Sequence, residues 1–147
     1  MGASFDYLVK ERLFVGIAGN ERFVVKAFSG GGGGSTHSAV PDPILVNNPA
    51  MTSNKLGTNQ IHPRGGPLPA GTYSIMAPTR HPHLGLSSYL DPSPANHMFG
   101  RSGFFIHGRG PKGSDGCIVP ELSVDFHRLM KALTRDGGGI LRVFLQY

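Results

Sequence analysis

The sequence predicts a mainly β protein with one or two helices, an α+β fold in which short strands outnumber helical segments. Three observations carry that expectation. Glycine and proline are abundant, at 22 and 12 of 147 residues, and they divide the chain into short segments separated by turns. Several of those segments alternate apolar and polar residues with the period of a half-buried strand. Only one stretch, near the C-terminus, carries a helical period.

Residues 12–17 and 22–28 read as two strands, and Gly19-Asn20 between them is a hairpin turn signal. The run "FSGGGGGSTHSAVPDP" follows. Its glycines, Gly30 to Gly34, are not followed by Gly-Lys-Ser/Thr, so a phosphate-binding P-loop is not expected. The stretch from Gly30 to Ser35 has the composition of a flexible linker and is expected to be a surface loop. Residues 47–66 read as irregular, with the turn signals "NNPA" and "HPRGG". In "GPLPAGTYSIM" a Pro-Ala-Gly turn leads into a strand over 72–76, with Tyr73, Ile75 and Ala77 on one face. Residues 78–94 are proline-rich, with a short strand expected around 87–90. Residues 104–107 form a strand ending at His107. Beyond Cys117 the period changes. Leu122, Phe126, Leu129, Met130 and Leu133 recur at helical spacing, Pro120 suits the first turn and Gly137 the stop. "ILRVFLQY" is expected to close the chain as a buried strand, since its apolar residues are nearly continuous. One domain over 1–147 accommodates all of this: a chain of this size, 39% hydrophobic, can build a single core without metal or disulfide.

The net charge is +5, which favours anionic partners such as nucleic acid, phospholipid or bacterial cell wall. No block of five or more Lys/Arg and no aromatic-interleaved basic motif is present, so nucleic acid is not expected as a partner. No apolar run is long enough to cross a membrane. The start "MGASFDYLVKERLF" does not read as a signal peptide. His81-Pro82-His83 could supply two metal ligands, but no third with matching spacing accompanies them, so no metal or other cofactor is expected. His37, His62, His97 and His127 read as surface or loop residues. Tyr73 and Phe104 read as core.

Cys117 is the chain's single cysteine. It sits in "FFIHGRGPKGSDGCIVPE", a glycine-rich stretch from Phe104 to Glu121. A lone cysteine is most often a small buried hydrophobe. A nucleophile, by contrast, needs a base, backbone donors for an oxyanion and access for substrate. This stretch can offer all three. His107 ends a strand, and nine residues separate it from Cys117, enough to fold the imidazole back toward the sulfur. The N–H groups of Gly116 and Cys117 are the expected oxyanion donors. A helix starting just past Cys117 would lower the thiol pKa through its dipole. On these residues alone, a catalytic and a structural cysteine are about equally supported.

The order His107-Gly108, then Ser114-Asp115-Gly116-Cys117-Ile118, resembles the catalytic segment of the YkuD-type L,D-transpeptidases, and "GPLPAGTYSI" resembles the turn and strand that precede it there. Two departures stand out. The family's second histidine is Asp115 here, and Val119-Pro120 replace the Arg or Asn that often follows the aliphatic residue. Together with a shortened His-to-Cys loop, "FSGGGG", "NNPA" and "GRSGFFIHG", these features are similar to the L,D-transpeptidase-like effectors of type VI secretion systems, from about Phe28 to the C-terminus. The resemblance implies a YkuD-like β-sandwich or open barrel with the cysteine in a loop before a helix. It implies that Cys117 attacks the carbonyl of meso-diaminopimelate in a peptidoglycan tetrapeptide stem, with His107 as base and acid. Water, a D-amino acid or a second stem would then resolve the thioester. It implies a cognate immunity protein, delivery by the type VI apparatus, and action in the periplasm of target bacteria by a protein made in the cytoplasm.

Asp115 is expected to point away from the sulfur, since a carboxylate beside a thiolate opposes activation. It would pair with Arg109 or Lys112, or meet a substrate ammonium. Arg101, Arg109 and, less so, Lys112 are candidates to grip stem carboxylates; Gly108 and Ser114 complete the site. The competing readings are a housekeeping transpeptidase that forms wall crosslinks and a non-catalytic wall-binding module. Papain-like and NlpC-type hydrolases run cysteine first and histidine later, the reverse of the order here.

Overall fold

A computed structural model describes residues 2–33, 41–110 and 113–146. Among the described residues nine strands form the sheet: β1 (Ala3–Leu8), β2 (Leu13–Ala18), β3 (Glu21–Ser29), β4 (Gly71–Ile75), β5 (Thr79–His81), β6 (Gly85–Pro92), β7 (Phe105–His107), β8 (Ile118–Pro120) and β9 (Gly139–Phe144). One α-helix, α1 (Ser123–Asp136), precedes β9, and a short 3-10 turn spans Pro49–Met51. The strand order is β4-β9-β1-β2-β3-β8-β7-β6-β5, and a further β4–β6 pairing curls the sheet back on itself. The result is a mostly antiparallel, barrel-like sheet with β5 outside the closure. Among the described residues only β1/β9 and β7/β8 run parallel.

Alternation explains the closure. Along β1, Ala3, Phe5 and Tyr7 turn inward, as do Phe23, Val25 and Ala27 along β3. Phe5 packs on Phe14 and Phe23, at ring-centroid distances of 4.7 and 5.6 Å. Helix α1 lays Phe126, Leu129, Met130, Ala132 and Leu133 on this core. It stops at Gly137, whose φ of 69° suits the left-handed cap.

Several expectations change. Strand β1 was not expected, although its inward Ala-Phe-Tyr alternation was present in the sequence. Pro120 lies in β8 rather than in the helix, and Leu122 is an exposed N-cap without a side-chain capping bond. Ala77 lies beyond the end of β4 and is exposed. Strand β9 is not buried throughout: Leu141 and Val143 face the core, whereas Ile140 and Phe144 face out. The glycine run is not a surface loop over its described part, since Gly30 to Gly33 are buried. The remainder of that run, Gly34 and Ser35, and also His37, lie outside the described residues.

Candidate active site

The turn that carries Cys117 rests on two other loops, and glycine makes the contact close enough. Gly31 N–H donates to Gly65 O and Gly32 N–H to Ser114 O, each at 2.7 Å. A Cβ on Gly113 would fall 2.2 Å from Gly32 O, and one on Gly65 would fall 2.3 Å from Asp115 O. Backbone packed against backbone leaves no room for side chains there.

Polar side chains finish the assembly. Buried Ser114 Oγ accepts from Gly30 N–H at 3.1 Å and Gly116 N–H at 3.2 Å, and donates to Cys117 O at 2.6 Å. Ser29 Oγ donates to Gly116 O and accepts from Leu68 N–H, both at 2.9 Å. Asn47 joins this support to the core: it accepts from Ser29 N–H at 3.0 Å and donates to Tyr7 Oη at 2.7 Å. The Gly116 N–H, expected to serve an oxyanion, is thus already bonded to Ser114.

Arg101 was expected at the substrate. It is instead buried, 6% exposed. Its guanidinium donates to the carbonyls of Thr52, Pro67 (2.9 Å), Gly66 (2.8 Å) and Asp115 (2.9 Å), and lies over the Phe104 ring. It therefore ties the nucleophile turn to the loops beneath it. Among the described residues, Asp115 takes a partner that was not expected, Arg64. Its carboxylate accepts from Arg64 Nε at 2.6 Å and Gly65 N–H at 3.1 Å. Arg64 was not singled out in the sequence, and no local signal marks it: 50 residues lie between the two. Arg109 is exposed, with a long 3.5 Å bond to Glu121 O. Lys112 lies outside the described residues.

Strands β7 and β8 bring the cysteine and histidine together. They run parallel with Ile106 opposite Ile118, and both of those residues point into the core. His107 and Cys117 flank that pair, so both side chains take the opposite face, diagonal to one another, with Cα atoms roughly 8 Å apart from strand geometry. Among the described residues no hydrogen bond yet joins imidazole to sulfur. The sulfur accepts from Phe105 N–H at 3.4 Å. His107 Nδ1 is 2.7 Å from Gly108 O. A carbonyl only accepts, so Nδ1 carries the proton and Nε2 is the basic nitrogen.

Burial sets the protonation of both groups. It holds the His107 pKa below the ordinary imidazole value, with the Gly108 bond opposing it and His81 adding to it. It pushes the Cys117 thiol up to about 11, with Asp115 adding to the rise and Phe105 N–H and Arg101 opposing it. The expected lowering by a helix dipole does not occur, because β8 intervenes between Cys117 and α1. The resting pair is a neutral thiol and a neutral imidazole. Iodoacetamide labelling of Cys117 is accordingly expected to keep accelerating with pH up to a midpoint of about 11; a plateau by pH 8 would contradict it. The folded state holds that proton more tightly than the unfolded chain, so folding stability should fall as pH rises from the ordinary thiol range through about 11.

Beside His107 opens a cavity of about 780 Å³. Its walls are the β5–β6 turn (His83 to Leu86), the loop after His107 with Arg109, and the start of α1 with Phe126 and His127.

The family model for the Tlde1 domain matches residues 45–139, more than half of the chain. The chain belongs to the Tlde1 domain family. This is the type VI secretion L,D-transpeptidase-like effector family that the His107–Cys117 segment resembles. The matched span of the Tlde1 domain includes Arg64, Arg101, His107, Asp115 and Cys117. Solved structures share its fold, among them two L,D-transpeptidases. One is an L,D-transpeptidase from Xylanimonas cellulosilytica, with a TM-score of 0.52, 13% identity and coverage of 98% of this chain and 61% of that one. The other is L,D-transpeptidase 1 of Mycobacterium tuberculosis, with a TM-score of 0.53, 12% identity and coverage of 97% and 61%. The chain thus spans about three-fifths of each of these structures. Among curated proteins no match is found.

Proposed function

We propose that the protein is an antibacterial effector that acts on peptidoglycan as a cysteine L,D-carboxypeptidase and transpeptidase. Its bond is the one joining meso-diaminopimelate to D-alanine in tetrapeptide stems. The observation that carries this reading is the placement of Cys117 and His107 on one face of adjacent parallel strands, with Nδ1 held by Gly108 O so that Nε2 is left as base.

The chemistry follows from the neutral pair. His107 Nε2 takes the thiol proton as the sulfur attacks the carbonyl, so no free thiolate is needed beforehand. In this reading the Cys117 N–H serves the oxyanion, since Gly116 N–H is engaged by Ser114. The C–N bond breaks, and His107 returns the proton to the departing D-alanine amine. Water then attacks the thioester, its proton passing to His107; the C–S bond breaks, a tripeptide stem leaves and His107 returns the proton to the sulfur, while a free D-amino acid in place of water gives exchange. Arg109, which lines the cavity, meets a stem carboxylate in this reading. The protein acts in the periplasm of target bacteria after delivery by the type VI apparatus, and an immunity protein that covers the face bearing Cys117 protects the producer.

Incubation with purified tetrapeptide muropeptides provides the test. The wild type is expected to release D-alanine and to show an acyl-enzyme by intact mass, and Cys117→Ala to show neither. Absence of both from the wild type would overturn the reading.

A further inference from the structure

The histidines of "HPH" have no part in the chemistry above, yet both stand near the site: His83 lines the cavity, and His81 packs on β7 beside it. His81 ends β5, which pairs with β6 through Thr79 opposite Ser87 and His81 opposite Gly85. Strand β6 in turn sets Ser87 opposite His107. Paired residues share a face, and so do residues two apart. His81, Ser87, His107 and Cys117 therefore lie on one side of the sheet. The His81 ring meets the Phe105 ring edge-on at 5.1 Å, and Phe105 is the residue whose N–H contacts the sulfur. His81 also acts electrostatically on His107.

Its tautomer is fixed. His81 Nδ1 accepts from His83 N–H at 3.0 Å and Leu84 N–H at 3.2 Å. An amide N–H only donates, so the proton of the neutral ring is on Nε2, turned away from those amides. The half-buried ring thus presents one oriented donor. On this face Ser87 Oγ is buried and has no hydrogen-bond partner among the described residues.

We propose that His81 is a substrate-binding residue whose Nε2–H receives the terminal carboxylate of the departing amino acid. The proposal rests on the reading above. The strand order across this face is β5, β6, β7, β8, so His81 and Cys117 stand on opposite sides of His107. The sulfur takes the acyl carbon, His107 serves the leaving nitrogen, and the carboxylate beyond that nitrogen extends toward β5. Recognition of that carboxylate makes the enzyme prefer stems that end in a free acid.

The test compares tetrapeptide stems with the same stems amidated at the terminal D-alanine. The wild type is expected to favour the free acid in kcat/KM by roughly 10–100-fold, the range of one hydrogen bond to a charged group. His81→Phe, which keeps an aromatic ring against Phe105, should bring the ratio near unity, with the loss mainly in KM. His81→Gln, which restores a donor close to Nε2, should recover part of it. An unchanged ratio in His81→Phe would overturn the proposal. A second measurement stands apart from turnover. In Cys117→Ala protein, the tetrapeptide should shift the His81 ring ¹⁵N resonances, and the amidated stem should shift them less. If the wild type released no D-alanine, the proposed reaction would fall, but this shift would still uphold His81 as the carboxylate contact; equal or absent shifts would remove it.

Discussion

Arg101→Met is expected to cost about 3–5 kcal/mol of folding stability, the range for removing one partner of a buried charged arrangement. The guanidinium bonds carbonyls from three separate segments, at Thr52, Gly66–Pro67 and Asp115. Each hydrogen bond to a charged donor contributes about 1.5–3 kcal/mol, and the contributions do not add fully. Methionine fills much of the volume but leaves every one of those carbonyls without its donor. With a urea slope of about 1–3 kcal/mol/M, the unfolding midpoint should fall by more than ~1 M. Arg101→Lys should lie between, because an ammonium is a point charge and cannot hold a planar fork of acceptors. The same variants report on the site. Arg101 opposes the upward shift of the Cys117 thiol, so labelling of Arg101→Met at a fixed alkaline pH should be slower than in the wild type. A midpoint within ~0.3 M of wild type would show that the loops hold together without this residue.

Arg101 also marks the limit of what the sequence discloses. Its position four residues before a strand that ends in the candidate base made a substrate contact plausible, and a charged side chain is rarely fully buried. What sends it inward is a set of unpaired carbonyls on loops far away in the chain. Local pattern carries no record of those. Asp115 follows the same logic: electrostatics gives only the expectation that it avoids the sulfur, and its partner, Arg64, depends on how residues 54–66 fold. The glycine run was misread for a related reason. Glycine signals permitted backbone conformations, and a mobile loop and a backbone-on-backbone contact use the same freedom. By contrast, the strand ending at His107, the helical stripe from Phe126 to Leu133 and the Gly137 stop were legible because each depends on neighbours within a few residues. Strand β1 was legible too, through Ala3, Phe5 and Tyr7, but its pairing with β9 at the other end of the chain was not.

Gly116→Ala is the second large effect expected, and it separates the position of the nucleophile from its chemistry. Gly116 has φ of +130°, and a Cβ built there would lie 2.3 Å from Phe104 Cε1 and 2.8 Å from a terminal guanidinium nitrogen of Arg101. The ring and the guanidinium are both buried, so neither yields freely. Overpacking of this kind costs about 1–3 kcal/mol, and holding a residue with a side chain at such a φ costs a further ~1–3 kcal/mol. The turn can escape both only by moving, which carries the Cys117 sulfur away from His107. A displacement near 1 Å is enough to slow acylation roughly 100-fold. A rescue experiment distinguishes the two causes. Phe104→Leu relieves the contact but not the backbone strain, so Gly116→Ala/Phe104→Leu should regain part of the stability lost in Gly116→Ala, with a favourable coupling of at least ~0.5 kcal/mol. Acylation should recover less than stability, because the backbone of the turn remains displaced. Equal recovery of both would assign the defect to the ring contact alone, and full activity in Gly116→Ala would mean that the turn does not need the conformation seen here.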